Sequence, residues 1–130
     1  MSQKEIEIIL TRQLASYLTM PILIVDSQGT LLFYNEPAEL ILGIRFEETG
    51  EISADEWLNK LAFTDKQGKP LARERRPLLV ALTERRPIHR DIWLQGRHRR
   101  RHIEVTAFPL ISQAGRHIGA VAIFWEVEVP

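Results

Sequence analysis

The residues that most constrain the fold lie near the end of the chain. In an extended segment over residues 118–129, Ala120, Ala122 and Phe124 fall on one side and Val121, Ile123, Trp125 and Val127 on the other. A strand with two apolar faces is stable in water only when both are covered, so this one belongs at the centre of a sheet. Whatever lies before it must supply neighbouring strands and a layer on each side.

The neighbours are legible. Two apolar runs, Ile22 to Val25 and Leu31 to Tyr34, flank Asp26-Ser27-Gln28-Gly29, a turn cluster whose glycine can take the positive φ of a hairpin return. Further on, residues 88–94 end at Gly96, and residues 102–110 follow with Ile103, Val105 and Ala107 on one face. Gln113-Ala114-Gly115-Arg116 then turns the chain into the last strand. The count is five strands.

Helices fill the interval between the second and third strands. Asn35 can cap a helix over residues 35–43, with Pro37 in its first turn and Gly43 at its left-handed exit. Ser53 and Glu56 form a capping box for residues 54–62, which bury Trp57, Leu58 and Leu61. After the turn Asp65 to Pro70, a third helix runs over residues 77–84 until Pro87 stops it. These helices cover one side of the sheet, giving an α+β fold with an antiparallel sheet and its short helices gathered on one face. The side that points inward is left open by the face pattern.

An amphipathic helix occupies residues 1–20, opened by the Ser2/Glu5 capping box and closed before Pro21. Ile6, Ile9, Leu10, Leu14, Tyr17 and Leu18 recur at spacings of three and four, one apolar stripe. The helix precedes the compact unit, residues 21–130, so its stripe packs either on that unit or on another chain.

Composition bounds the chemistry. With 130 residues, 45% apolar and 26% charged, the chain is long enough to bury the core of one globular domain. It has no cysteine, which excludes disulfides, thiolate ligands and cysteine nucleophiles. No apolar run approaches the ~20 residues of a bilayer span. The start, with Lys4, Glu5 and Glu7, lacks a secretion pattern, so the cytoplasm is the expected location and no membrane partner is expected. Net charge is zero, yet residues 1–64 carry four basic and ten acidic side chains and residues 65–130 thirteen and seven. Two halves that attract each other, within the fold or across a dimer, are favoured over a dedicated nucleic-acid surface.

Several of these patterns, in this order, resemble the PAS family of sensory and interaction modules over about residues 20–128. Asp26 and Gly29 stand at its first hairpin. Asn35, Ala38, Glu39 and Gly43 match its asparagine-to-glycine helix. Asp65, Gly68 and Pro70, then Glu74, Pro77, Ala81 and Leu82, resemble the turn and long helix of bacterial members. Pro109-Leu110 and Gly119-Ala120-Val121 resemble the ends of its last hairpin. The chain also departs from the pattern. Glu126-Val127-Glu128 replaces the family's closing Asp-Ile/Val-Thr, and Arg85 replaces its usual glycine after the long helix, which calls for a different helix exit. The chain ends at Pro130 without a kinase, cyclase or DNA-binding segment, as in either an excised domain or a free-standing module.

The resemblance implies a PAS-like five-stranded sheet and a signalling role exercised through protein–protein association, as a homodimer and with a partner such as a kinase, cyclase or transcription regulator. It does not imply an enzyme. A small ligand could occupy the cleft between sheet and helices, lined by Ile24, Leu32, Leu40, Leu79, Leu82, Ile103, Val105 and Phe124, although the same residues could simply fill a core. No cofactor is expected: a flavin–cysteine photosensor needs a cysteine, and a haem member wants a histidine within residues 73–84, which hold none. The dimer is expected through Ile6, Ile9, Leu10, Leu14 and Tyr17, with Trp93 and Trp125 of the outer sheet face.

Other constellations read more blandly. His89 is read as a surface or hairpin residue, and His98 and His102 bracket three arginines that oppose a metal cation. The run Arg97 to Arg101 reads as a solvated tip facing Glu47, Glu48 and Glu51 rather than a phosphate footprint, since few aromatics interleave with it. Arg73, Arg75, Arg76, Arg85 and Arg86 are assigned to the solvent side of the third helix. No nucleophile elbow, HExxH or phosphate-cradling glycine loop occurs. The reading from a different class is a small enzyme or ligand carrier on a cone-shaped α+β fold, with a buried carboxylate as base.

Overall fold

The computed structural model describes residues 3–95 and 99–127, without the side chains of residues 3–7, 15 and 16. The Ser2 cap, the side chain of Ile6, and Gly96, Arg97, His98 and Glu128 therefore lie outside the described residues. Element order is α1 (Gln3–Tyr17), β1 (Ile22–Asp26), β2 (Leu31–Tyr34), α2 (Glu36–Leu42), α3 (Phe46–Thr49), α4 (Ala54–Lys60), β3 (Phe63–Thr64), α5 (Pro77–Glu84), β4 (Ile88–Gln95), β5 (Arg100–Ile111) and β6 (His117–Glu126).

One antiparallel sheet has the order β2-β1-β6-β5-β4-β3. It has six strands, not five. The extra one, β3, is only two residues long and pairs Phe63 with Leu94 and Thr64 with Trp93, so it carries no alternation for sequence reading to detect. The doubly apolar β6 sits between β1 and β5, as its composition requires.

The faces are now assigned. Leu23 and Val25 of β1, Ile92 and Leu94 of β4, Ile103, Val105 and Ala107 of β5, and Ala120, Ala122 and Phe124 of β6 join the main core beneath the helices. Ile22, Ile24, Leu32 and Val121 form a second, smaller cluster, packed by Ile8, Phe33, Phe108, Leu110 and Ile123. This cluster marks the outer face.

Local chemistry fixes the connections. Asp26 Oδ1 accepts from the backbone N–H groups of Gln28 and Thr30 at 2.9 and 3.0 Å, closing the β1–β2 turn. Ser53 caps α4 through the Glu56 amide, and Trp57 on that helix is buried, its Nε1 donating to the Gly29 carbonyl at 2.8 Å. Gly43 ends α2 at φ 79°, as expected. Arg85 ends α5 at φ 57°, ψ 40°. The expected alternative exit is thus not used: an arginine adopts the left-handed conformation itself, held by its N–H bond to Ala81 O.

Asn35 ties three segments of the chain together. Only 2% exposed, it caps α2 through the Ala38 amide at 3.2 Å and accepts from the Ile22 amide of β1 at 3.0 Å. Its Nδ2 donates to Met20 O at 2.8 Å and Leu18 O at 3.4 Å, in the segment that leaves α1.

Asn35→Ala should therefore cost about 2–4 kcal/mol in urea unfolding, from a lost cap and stranded buried partners. Asn35→Asp keeps the Oδ1 acceptor but not the donor, and should fall between the two. Arg85→Gly should stabilise the fold by about 0.5–1 kcal/mol, read as a raised Tm, by removing the Cβ penalty of the left-handed state.

Candidate functional site

Three regions gather the expected functional residues: an interior cavity, the α1 docking surface and the open part of the outer sheet face. The cavity holds about 40 Å³ of free space between the inner face and the helices. Its walls are Leu23, Trp57, Phe63, Arg76, Pro77, Leu78, Ile92, Ile103, Val105, Ala122 and Phe124. Of the eight residues expected to line a ligand cleft, Ile103, Val105 and Phe124 meet here.

The other five are elsewhere, which corrects the expected lining. Ile24 and Leu32 belong to the outer cluster, because the pleat turns them away from Leu23 and Leu31. Leu40 is 75% exposed on α2. Leu79 and Leu82 line a surface groove with Ser27, Gln28 and Thr83. The alternation was readable from the sequence, but the side facing inward was not.

Eight wall residues were not among those expected, and Arg76 is the one charged side chain of the eight. It was assigned to the solvent side of the third helix, yet it is partly buried and lines the cavity. Preceding Pro77, it is held extended at φ −83°, ψ 118°, between a 3₁₀ turn over Arg73–Arg75 and the start of α5. Its Nε donates to Leu71 O at 3.1 Å. Its Nη1 is buried and has no hydrogen-bond partner among the described residues. Burial, and then the nearby positive charge of Arg73, lowers its pKa from the usual arginine value. The Arg-Pro pair at a helix start was the available signal.

Among the described residues, helix α1 touches the domain through one side. Ile8 packs on the outer cluster, and the Arg12 guanidinium lies 4.9 Å from the Phe33 ring centroid and 5.4 Å from that of Phe46. Those rings are tilted together at 5.4 Å, and Tyr34, whose hydroxyl donates to Ile44 O, packs on Phe46 from within. Burial raises the Tyr34 pKa. The stripe residues Leu10, Leu14 and Tyr17 are 58%, 62% and 84% exposed. At about 100° per residue they lie on the side of the helix away from Ile8 and Arg12. Ile9 is at the margin, 42% exposed.

The outer face beyond α1 carries an aromatic and imidazole array. Trp93 stacks on His102 at 4.1 Å, and the Arg100 guanidinium lies 5.5 Å from the Trp93 ring. His102 Nε2 and Asp91 Oδ2 are 3.0 Å apart, and that hydrogen bond lowers the Asp91 pKa. The stabilisation, slight at an exposed pair, holds above the unfolded carboxyl pKa and is lost as pH falls through the folded one. His89 shares a hydrogen bond with Thr106 Oγ1 at 2.7 Å and its ring is 5.9 Å from that of Trp125, which is 36% exposed.

The arginine run has other partners than expected. Arg99 and Arg101 pair with Glu126 at 3.1 and 2.6 Å, and Arg100 donates to the carbonyls of Asp65 and Lys66. β5 and the residue before it bring these side chains to Glu126 at the end of β6 and to the Asp65 turn, and among the described residues none of them forms an ion pair with Glu47, Glu48 or Glu51. Among the described residues, no ion pair joins the acidic first half to the basic second half. Among the described residues no helix is long and apolar enough to cross a membrane, and no three His, Asp or Glu side chains gather as metal ligands.

This architecture agrees with solved structures of low sequence identity. The PAS domain of Bordetella pertussis BvgS aligns with TM-score 0.64 and 16% identity, covering 93% of this chain and 85% of that one. The PAS domain of nitrogen regulation protein NR(II) from Vibrio parahaemolyticus gives 0.63 and 20%, covering 91% and 98%. The Rhodobacter sphaeroides LOV protein gives 0.70 and 16%, covering 97% and 69%. A comparison with curated proteins finds no match. The family model described as PAS fold matches residues 16–129, nearly the whole chain. The chain belongs to the PAS family, whose members are typically sensory modules of signal transduction.

Proposed function

We propose that this protein is a cytoplasmic sensory module of bacterial type that works by association, as a parallel homodimer, rather than by catalysis. Residues 1–20 serve as the dimerisation leader and residues 21–130 as the sensory domain. The observation that carries the reading is the two-sided character of α1. Ile8 and Arg12 dock on the domain while Leu10, Leu14 and Tyr17 remain in solvent. Exposing three large side chains along one helix face forfeits on the order of 1.5–3 kcal/mol for each that a partner would bury.

A second copy suits this face because the outer sheet continues it. Trp125 and the stacked Trp93 lie where α1 leaves the sheet uncovered, and large aromatics are the side chains that anchor interfaces. Occupancy of the interior, or contact with a kinase, cyclase or transcription regulator, would act by favouring one arrangement of the paired helices, and only through a difference in affinity between arrangements. The walls of the cavity hold no carboxylate, so the base required by the enzyme alternative is not at hand there.

Sedimentation velocity at high micromolar concentration should show a dimer. Leu10→Glu combined with Leu14→Glu should weaken it at least tenfold, with a urea midpoint unchanged at protein concentrations low enough that both proteins are monomeric, because both side chains are exposed on their own domain. A monomeric parent protein would overturn the proposal.

A further inference from the structure

The outer sheet face sets like charges against each other. β4 and β5 pair Asp91 with Glu104, Trp93 with His102 and His89 with Thr106, and β5 and β6 pair Glu104 with Trp125. Alternate residues share a face, and Ile92, Leu94, Ile103 and Val105 take the inner one, so all of these side chains stand on the side away from the helices. Two carboxylates thus lie directly across from each other, an arrangement that weakens a sheet. An imidazole stands on each diagonal, His102 from Asp91 and His89 from Glu104. His102 Nε2 reaches Asp91 Oδ2 at 3.0 Å, and the charge of His89 also acts on Asp91. This grid lies between the two tryptophans proposed as anchors. Trp93 is stacked on His102, and Trp125 is the β6 neighbour of Glu104 and lies 5.9 Å from the His89 ring. A contact that uses both tryptophans therefore covers the carboxylates and the imidazoles as well.

We infer that protonation of His89 and His102 drives this face to pair with the same face of a second copy. The inference rests on the association reading and names its regulation, a response to pH.

The direction follows from the charges. Arg100 stands one row beyond His102 with its guanidinium turned to the carbonyls of Asp65 and Lys66, and the cations that act on Asp91 are the two imidazoles. From β6 the neighbours are the uncharged Trp125 and Val127, while Glu126 alternates to the opposite face and is paired with Arg99 and Arg101. Joining two such faces with neutral imidazoles gathers four carboxylates, two from each copy, out of water and without compensating charge, which opposes association. With His89 and His102 protonated, each carboxylate has a cationic neighbour on its own sheet and the opposition falls away. A group that holds its proton more tightly in the dimer strengthens the dimer below its monomer pKa, and that contribution is lost as pH rises through its dimer pKa. Histidine ordinarily changes charge between pH 5 and 8, a range in which carboxylates ordinarily keep theirs.

The test is sedimentation equilibrium of the full chain at pH 8.0 and pH 5.5, at constant ionic strength. The dimer dissociation constant should be at least about tenfold smaller at the lower pH. His89→Gln combined with His102→Gln should keep it at the weak pH 8.0 value under both conditions. Asp91→Asn combined with Glu104→Gln leaves both imidazoles and both tryptophans in place; it should tighten the dimer at pH 8.0 and abolish or reverse the response. None of these four side chains belongs to the buried core, so both pairs of variants are expected to fold, and the second keeps the test valid if the first does not. A dissociation constant that is equal or larger at pH 5.5, or a response that survives in either pair of variants, overturns the inference and leaves the association standing. A protein monomeric under both conditions at high micromolar concentration removes the association and the inference with it.

Discussion

The side chain of Asn35 is the contact on which the rest of the structure depends. Its hydrogen bonds hold the start of α2, the first residue of β1 and the carbonyls of the segment leading out of α1. Because the group is buried, each of those bonds is made in a medium where leaving it unmade is expensive. The consequence is geometrical. The direction in which α1 departs is set by the same amide that fixes the sheet's first strand and the first covering helix.

From that junction the architecture follows with little freedom. β1 pairs with β6, and β6 with β5, so the doubly apolar strand is enclosed on both edges. The helices seal the inner face around Trp57, Leu78 and Phe124. α1 seals only the margin of the outer face, through Ile8 and the Arg12 contact with Phe33 and Phe46. A central strand asks for two layers, and a single copy of the chain provides about one and a half. The remaining outer surface and the free stripe of α1 are the physical basis for proposing a second copy.

The parts legible in the sequence were those governed by local chemistry. Asn35, Gly43, Ser53 and the Asp26 turn each act over a few residues, and each performs as its type predicts. The central place of β6 followed from its two apolar faces, which is a statement about solvent and needs no neighbour. What was not legible depends on tertiary choice. Alternation in β1 and β2 separates Leu23 from Ile24 but does not say which faces the helices, so Ile24 and Leu32 were placed in the cleft and lie outside it. β3 exists because Phe63 and Thr64 reach the free edge of β4, a partnership without a local signal. Arg76 carries the composition of a surface residue and the burial of a wall residue; the constraint of Pro77 turns it inward. Arg85 shows that a position which favours glycine can be filled by another residue when the surrounding structure over-determines it.

The central claim is that α1 pairs with its twin through the face that does not touch the domain. The absence of native cysteine makes this directly measurable, since any introduced thiol is unique in the chain. Single cysteines at Leu10 and Leu14 should form intermolecular disulfides rapidly under mild oxidation, because parallel pairing sets each residue opposite itself within the ~7 Å Cα separation that a disulfide tolerates. Cysteines at Ile8 and Arg12 should not. Equal cross-linking from both faces, or none from Leu10 and Leu14, would contradict the account.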